Sequence, residues 1–488
     1  MMDTPRPISY DTLMRRLPTP SGQVDVETLR QAVEADGKKV VVLDDDPTGC
    51  QTVYGVPIWT TWEVSALIQA LAEPGNVFYI ITNSRSLSEV DAMALNRSIV
   101  ANLAEAIQAT GTEIAIVSRS DSTLRGYYPA ETDALEGALR EHLGLSTDGV
   151  LVIPFFAEGG RLTAHDVHWV RQGETLWPAA KTESARDPAF GYRHSNLKAW
   201  VEEKSAGRIG AEDVASISLA DIRVGGAEAV VAKLTALVGG QVAVVNAVTY
   251  DDMDRFVLGL LQAEAQGKRY LYRTAASFVR SRAGLGSRPL LGRGELLPEA
   301  EGVAPGLVIF GSFVPRSTEQ LGELLAWSRA AGIELRAAQV IGGEAERETE
   351  IARVVADAEE AFGRGAVPVV YTSRELVTTD REGSLQAGQL ISAALVQVVR
   401  QAALTPQWIL AKGGITAHDV ATKALDARRS VTPGQVAPGV PVWRLGAESR
   451  YPGLPYIVFP GNVGEADTVL DVVRQLQKAE QGSVQRAE

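Results

Sequence analysis

The stretch KVVVLDDDPTGCQTVYG, from Lys39 to Gly55, decides how the chain is read. Its first half is a short valine-rich apolar run, the mark of a strand buried on both faces. Its second half sets Asp44, Asp45 and Asp46 at the tip of that strand, just before a Pro-Thr-Gly turn. Three adjacent carboxylates repel one another. Something such as a metal ion, bound protons or helix-terminus N–H groups has to offset that repulsion.

Outward from this strand the same rhythm recurs, with short β-branched runs alternating with Ala/Leu/Glu-rich helical stretches. That pattern predicts an α/β fold with largely parallel sheets flanked by helices. VSALIQALA reads as a helix, NVFYIITNSRS as a strand with a polar tip, and about Ser88 to Ala109 as a helix. TEIAIVSRSDS and DGVLVIPFF read as two further strands. In such sheets ligands gather at the carboxyl ends of the strands. The tips at Asp44–Asp46, Asn83–Arg85, Ser118–Ser122 and Pro154 are therefore expected to share one crevice.

From Glu158 to about Gly207 the rhythm breaks into a polar, aromatic-flecked segment, too long for a simple connection and expected to be a lid or binding loop. VASISL, QVAVVNAV and RYLYRTAA resume the strands, and a Gly/Pro-rich, charged stretch then marks a boundary. The rhythm restarts at GLVIFGS, with IELRAAQVI, AVPVVYTSRE, QWILAKGG and LPYIVFPG as later strand candidates and ITAHDVATKALDA as a helix. The expected organisation is an N-terminal extension (1–37), a first α/β domain (38–284), a linker (285–305) and a second α/β domain (306–488).

The 488 residues exceed one ordinary core, and their 45% apolar and 22% charged content is that of a globular protein. No apolar run is long enough to cross a membrane, and the first residues lack the pattern of a secretory signal. A single cysteine, Cys50, offers neither an intrachain disulfide nor a zinc cluster, so a cytoplasmic location is expected. A net charge of −13 argues against nucleic acid as a partner. It leaves room for a small anion in a locally basic pocket.

Glycine turns at strand–helix junctions concentrate in the second domain: Gly311 and Ser312, then Gly413 and Gly414 with Thr416 at a helix start, then Gly461 and Gly464. Such turns present backbone N–H groups to an anion, and a nucleotide phosphate is the expected occupant. No GxxxxGK[ST] sequence is present, so this is not a P-loop protein. In the first domain VSRSDSTLRG is the densest polar cluster. Asp121 suits a base, Ser122 and Thr123 suit hydroxyl ligands, and Arg119 and Arg125 suit clamps on a carboxylate. GGRLTAHD adds Arg161, Thr163, His165 and Asp166; with no cysteine or HExxH partner, His165 and His168 are expected to bind no metal. LDDDPTG itself supports two readings. D-x-D-x-T resembles the nucleophile motif of haloacid-dehalogenase-type phosphatases, with Asp44 as nucleophile and magnesium screening the acids. A D-D-x-T-G turn instead holds sugar hydroxyls on its carboxylates, one of which deprotonates the attacking hydroxyl.

Taken together, DDPTG (Asp45–Gly49), SDSTLRG (Ser120–Gly126), GGRLT (Gly159–Thr163), KGGITA (Lys412–Ala417) and PGNVG (Pro460–Gly464) are similar in order and spacing to the four-carbon acid sugar kinase family, over about Lys38 to Leu476. The resemblance implies an N-terminal acid-sugar-binding domain, a C-terminal ATP-binding domain, and an active site in the cleft between them. It implies transfer of the ATP γ-phosphoryl group to a hydroxyl of a threonate-, erythronate- or oxo-tetronate-type acid, with Mg2+ accompanying the nucleotide. By position, Asp45, Asp46, Asp121, Ser122, Arg125, Gly126 and Arg161 fall on the acid-sugar side, and Arg119 is expected to bind the acid with them. Gly311, Ser312, Gly413, Gly414, Thr416, Gly461, Asn462 and Gly464 fall on the nucleotide side. Asp121 or Asp46 is the expected general base, with nothing in the sequence to choose between them, and no metal-ligating residue is assigned. The third aspartate at Asp44, Arg119 where the family commonly has lysine, Ser120 where it commonly has an apolar residue, and PGNVG in place of S-G-N-[FV]-G mark a divergent branch. The expected partners are a small sugar acid and ATP, and the fold is compatible with a homo-oligomer. A phosphatase using Asp44 and a non-catalytic sugar-acid sensor are the two rival expectations.

Overall fold

The structure is a computed structural model describing residues 5–20, 22–297, 304–374 and 381–477, with 381–386 described by backbone alone. Residues 298–303 of the expected linker therefore lie outside the described residues, as do 1–4 and 21 of the expected extension and 375–380 and 478–488 of the expected second domain. The chain separates into two compact units, Met1–Arg288 and Pro289–Glu488.

The first unit carries β1 (Ile8–Ser9), β2 (Lys39–Asp44), β3 (Val56–Trp59), β4 (Val77–Ile81), β5 (Ile114–Arg119), β6 (Gly149–Ile153), β7 (Arg161–Ala164), β8 (Val167–Gln172), β9 (Thr175–Pro178), β10 (Ala215–Ile217), β11 (Gln241–Val245) and β12 (Tyr270–Thr274). Eight of these strands lie side by side in the order β10-β11-β6-β12-β5-β2-β4-β3, and their pairings are parallel. Every residue of β2, β4 and β6 is buried, which is why these strands read as continuous apolar runs rather than as alternating ones. Helices such as Val64–Ala72, Glu89–Thr110 and Ala130–Leu143 bury Leu67, Leu103 and Leu135 in one core with Val41, Phe78, Ile116 and Val152.

Register decides what meets at the C-terminal edge of this sheet. Asp44 pairs in register with Arg119 and with Ile81, and Thr274 pairs with both Arg119 and Ile153. The residues just beyond β2, β4, β5, β6 and β12 therefore emerge along one line.

The segment expected to be a lid or binding loop carries β7, β8 and β9, which join β1 in an ordered antiparallel sheet, β1-β9-β8-β7, followed by short helices. Its β7–β8 turn is a two-residue loop with both His165 and Asp166 at positive φ, the geometry that matches strand twist. The turn is tied down: Asp166 accepts from Ser216 Oγ (2.6 Å) and Asn246 Nδ2 (2.8 Å), and its N–H donates to Asn246 Oδ1 (2.8 Å).

The second unit carries β13 (Leu307–Phe310), β14 (Ala330–Leu335), β15 (Val367–Thr372), β16 (Ile409–Lys412), β17 (Arg429–Ala437), β18 (Val440–Leu445) and β19 (Pro455–Phe459), in the order β17-β18-β19-β16-β13-β15-β14. From β19 to β14 the pairings are parallel, while β17, β18 and β19 are antiparallel to one another. From β13 the chain crosses to β14 and returns through β15, then passes to β16 on the other side of β13. The boundary between β13 and β16 is thus a topological switch point, where loops diverge and leave a crevice at the strand C-termini. A separate core, including Val308, Leu324, Trp408, Ile457 and Val473, supports it.

Three element readings change. IELRAAQVI is not one strand: β14 ends at Leu335 and a helix runs Ala337–Gly342. ITAHDVATKALDA is an α-helix over Gly414–Asp419 that widens into a π-helical turn at Val420–Ala424. The β17–β18 hairpin was not foreseen in the sequence.

Candidate functional site

In the first unit, the three aspartates of the β2 tip occupy three different environments. Asp44 is fully buried, and its Oδ1 accepts from Arg119 Nη1 (3.0 Å) and from the Asp46 N–H (3.2 Å). Gly49 lies against it so closely that a Cβ there would sit 1.8 Å from Asp44 Oδ2. Burial, helped by repulsion from Asp45 and Asp46 and opposed by Arg119, pushes Asp44 up to about 7. Asp45 is buried too, accepting from Ser120 Oγ (2.6 Å) and meeting Arg85 Nε at 3.2 Å. Burial raises its pKa against the pull of Arg85 and Arg119.

Asp46 is part-exposed and accepts from Thr48 N (2.8 Å), Thr48 Oγ1 (2.6 Å) and Arg85 Nη2. Burial pushes its carboxyl up, but Arg85 and Thr48 outweigh that and hold it below the ordinary value. Asp121 accepts from Thr123 N (3.0 Å), Thr123 Oγ1, Arg125 Nε (3.0 Å) and Arg125 Nη2 (3.3 Å), and Arg85 Nη1 stands 3.5 Å away. Against the opposing effect of burial, Arg125 and Arg85 keep it ionised well below the ordinary range.

The repulsion at the β2 tip is therefore offset by guanidiniums. Arg85 reaches Asp45, Asp46 and Asp121 from the short turn Ser84–Ser86, and Arg119 reaches Asp44 from β5. A third, Arg273 on β12, is buried, donating to Ser120 Oγ (3.1 Å), Arg125 O (2.8 Å) and Asp121 O (3.2 Å). Gly126, at φ 110°, gives room for this packing, since a Cβ there would meet Ser120 Oγ at 2.7 Å.

The structure thus brings Asp45, Asp46, Asp121, Arg125 and Gly126 together. Arg119, expected as an anion clamp, is 4% exposed and committed to Asp44. Ser122 is also buried, and its carbonyl faces His168 Nε2 at 2.8 Å. His168 lies within β8 rather than in a loop; burial drives it down to about 4, and its other nitrogen meets Thr163 Oγ1 at 3.0 Å. That histidine is a strut between β8 and the Ser122 turn, while His165 lies exposed at the β7–β8 turn. Arg161 opens β7 with Nη1 on Gly159 O; among the described residues it meets no carboxylate, and its buried Nε has no partner. Arg85 was visible in sequence only as a polar strand-tip residue, and Arg273 only as part of the RYLYRTAA strand.

In the second unit the three glycine turns follow β13, β16 and β19, which are neighbours in the sheet. The approach is tight: a Cβ on Gly311 would lie 2.0 Å from Thr416 Oγ1, and one on Gly461 would lie 3.2 Å from Ser312 Oγ. Gly413 and Gly464 take positive φ of 111° and 84°, conformations that side chains disfavour. Gly311, Ser312, Gly413, Gly414, Thr416, Gly461, Asn462 and Gly464 all lie at or just beyond these strand ends, in glycine-rich turns of the kind that receive phosphates at switch points. Ser317 Oγ donates to Gly461 O (3.0 Å) and lies 2.8 Å from Ser312 Oγ, from which it can accept, and Lys412 and Arg374 are pinned to backbone carbonyls nearby. Ser317 and Lys412 stand in the stretches GSFVPRSTEQ and KGGITA of the sequence, without a role of their own there, and Arg374 carried no sequence signal.

An α/β unit with carboxylates and arginines interleaved at its strand tips, joined to one with glycine turns at a switch point, defines a sugar-binding and nucleotide-binding class of protein. The model of a sugar-binding N-terminal domain matches residues 40–282, and that of a nucleotide-binding C-terminal domain matches residues 307–469. The chain belongs to the four-carbon acid sugar kinase family. Among solved structures, a Haemophilus influenzae protein of the family DUF1537 is similar at 19% identity and a TM-score of 0.57, covering 89% of this chain and 100% of its own. A provisionally named tRNA synthase from Salmonella typhimurium LT2 is similar at 17% identity and a TM-score of 0.61, covering 90% and 99%. At those identities the likeness is one of fold. No curated protein matches the chain. Among the described residues no helix is long and apolar enough to cross a membrane.

Proposed function

We propose that the protein is an ATP-dependent kinase that phosphorylates a hydroxyl of a four-carbon sugar acid. The observation that carries this reading is the strand-tip edge of the first unit. There, part-exposed, ionised Asp46 and Asp121 stand among Arg85 and Arg125, with Arg161 close by and committed to no carboxylate. An anionic polyol needs both kinds of group, guanidinium for its carboxylate and carboxylate for its hydroxyls. We assign the acid's carboxylate to Arg161 and Arg125. Asp121 or Asp46, each already deprotonated, orients the attacking hydroxyl and takes up its proton, as phosphoryl transfer chiefly asks for positioning and charge stabilisation. The glycine turns of the second unit hold the ATP phosphates.

Among the described residues no three His, Cys, Asp or Glu side chains are grouped to hold a metal, and the acids of the β2 tip already face arginines. We therefore assign Mg2+ to the nucleotide phosphates, where it would neutralise charge developing on the transferred group. The phosphatase reading loses its nucleophile, because Asp44 is sealed under Gly49 and bonded to Arg119.

The test is ADP release from ATP and Mg2+ with a panel of threonates, erythronates and oxo-tetronates. Release dependent on one acid is the expected result. No release with any of a broad panel would sink the proposal, and acid binding without turnover would favour a sensor.

A further inference from the structure

Lys412, the last residue of β16, is completely buried in the middle of the three glycine turns. Its ammonium donates to Pro460 O and to Gly461 O (3.1 Å) and lies 4.3 Å from the centre of the Phe459 ring. No ion pair joins it to a carboxylate among the described residues. A buried ammonium held only by carbonyls and a ring face is costly unless those contacts serve a purpose.

Their geometry shows one. A trans peptide is planar, with its C=O and N–H pointing opposite ways. With the carbonyls of Pro460 and Gly461 drawn toward Lys412, the N–H groups of Gly461 and Asn462 point away from it. Neither N–H has a hydrogen-bond partner among the described residues. Ser317 grips the same Gly461 carbonyl from the helix Pro315–Leu325 and also holds Ser312. The turn after β19 is thus fixed by two side chains that leave its donors free. Successive unpaired N–H groups form a concavity for an anion, and a nearby ammonium deepens its positive potential.

We propose that Lys412, with Ser317, is a positioning residue that turns the Gly461 and Asn462 amides toward the phosphate chain of a bound nucleoside triphosphate. The inference rests on the reading of the second unit as the ATP-holding one. It places the recognition of phosphate, not of adenosine, on Lys412. Burial and the charge of Arg316 bring the Lys412 pKa down to about 7, consistent with an ammonium whose protonation an incoming phosphate would support.

The experiment is titration calorimetry of the full chain with ATP, inorganic tripolyphosphate and adenosine, for the wild type, K412M, K412R and S317A. K412M should weaken ATP and tripolyphosphate about tenfold or more, the scale of lost hydrogen bonds to a charged group. Adenosine affinity should stay unchanged, and K412R should stay near the wild type. S317A should weaken ATP severalfold in the same selective way, and it decides the matter if K412M does not fold. ATP binding within about twofold of the wild type, in S317A and in whichever Lys412 variants fold, overturns the inference while leaving the kinase reading intact. A purely structural role predicts equal losses for ATP and adenosine, which also overturns it. A wild type that binds neither ATP nor tripolyphosphate overturns both readings.

Discussion

Asp44 and Asp46 stand two residues apart on one strand tip and have opposite fates. Asp44 points into the protein, where burial favours its neutral form and Gly49 closes over it, while Asp46 faces outward and stays ionised on Arg85 and Thr48. β2 ends at Asp44 and the chain turns through Asp46, so strand alternation, which would set Asp44 and Asp46 on one face, no longer governs Asp46. The variant D44N separates the two chemistries. Asn can still accept from Arg119, so acid-dependent ATP turnover should fall by less than about tenfold, with a stability loss of about 1–3 kcal/mol from the weakened buried pair. Loss of a nucleophile would instead cost about 10⁴-fold or more in turnover. Steady-state ADP release and urea unfolding measure the two effects. The motif LDDDPTG, read with SDSTLRG, already shifted weight from Asp44 to Asp45 and Asp46. The sequence could not show Arg85, because a lone arginine in a turn looks the same whether it is solvated or serves three carboxylates.

At the level of elements, strands with buried faces were legible, since apolar runs such as Val40–Leu43 and Val77–Ile81 match only that environment. The β17–β18 hairpin was hidden because Pro433, Gly434, Pro438 and Gly439 mimic loop composition; a bulged pairing accommodates Pro433 and Gly434, and Pro438 and Gly439 form the connection between the two strands. The segment after Glu158 read as a lid or binding loop because it is polar and long and its strands are short; its anchors, Asp166 to Asn246 and His168 to the Ser122 carbonyl, join residues far apart in sequence. Glu131 is another such anchor. From the first turn of the helix Ala130–Leu143 it accepts from Ser84 Oγ (2.6 Å) and from Asn96 Nδ2 (3.1 Å), tying that helix to the β4 tip and to the helix Glu89–Thr110. Burial, with Asp45 nearby, pushes it up to about 7 from 4.5, so the folded protein binds a proton there that the unfolded chain has released. The folded state therefore loses stability from this group as pH rises from about 4.5 to 7, by at most about 3 kcal/mol, and the effect levels off above 7. E131Q keeps an acceptor and cannot ionise. Its stability relative to the wild type should rise across that window in urea titrations at pH 4.5, 6 and 8. A constant difference would remove Glu131 as the source.

Across the whole chain, the two units carry unlike chemistries on like scaffolds. Parallel strands end in side-chain acids and guanidiniums in the first unit and in backbone donors beside glycine in the second. Polyols differ in where their hydroxyls and carboxylate lie, and side chains can be varied to match them. A phosphate chain presents the same oxygens whatever nucleotide bears it, and backbone N–H groups suffice. That division gives a separable prediction for Arg125, which grips Asp121 through Nε and Nη2 and stands 3.5 Å from Asp187. R125A removes one proposed clamp on the acid's carboxylate and frees Asp121 from its main counter-charge. The KM for the sugar acid should rise about 10- to 100-fold, the scale of one or two charge-assisted hydrogen bonds. The Kd for ATP, measured by calorimetry, should stay within about twofold. An unchanged KM would return Arg125 to the role of a strut for Asp121, and an equal loss of ATP affinity would show that the two chemistries are not divided between the units in this way.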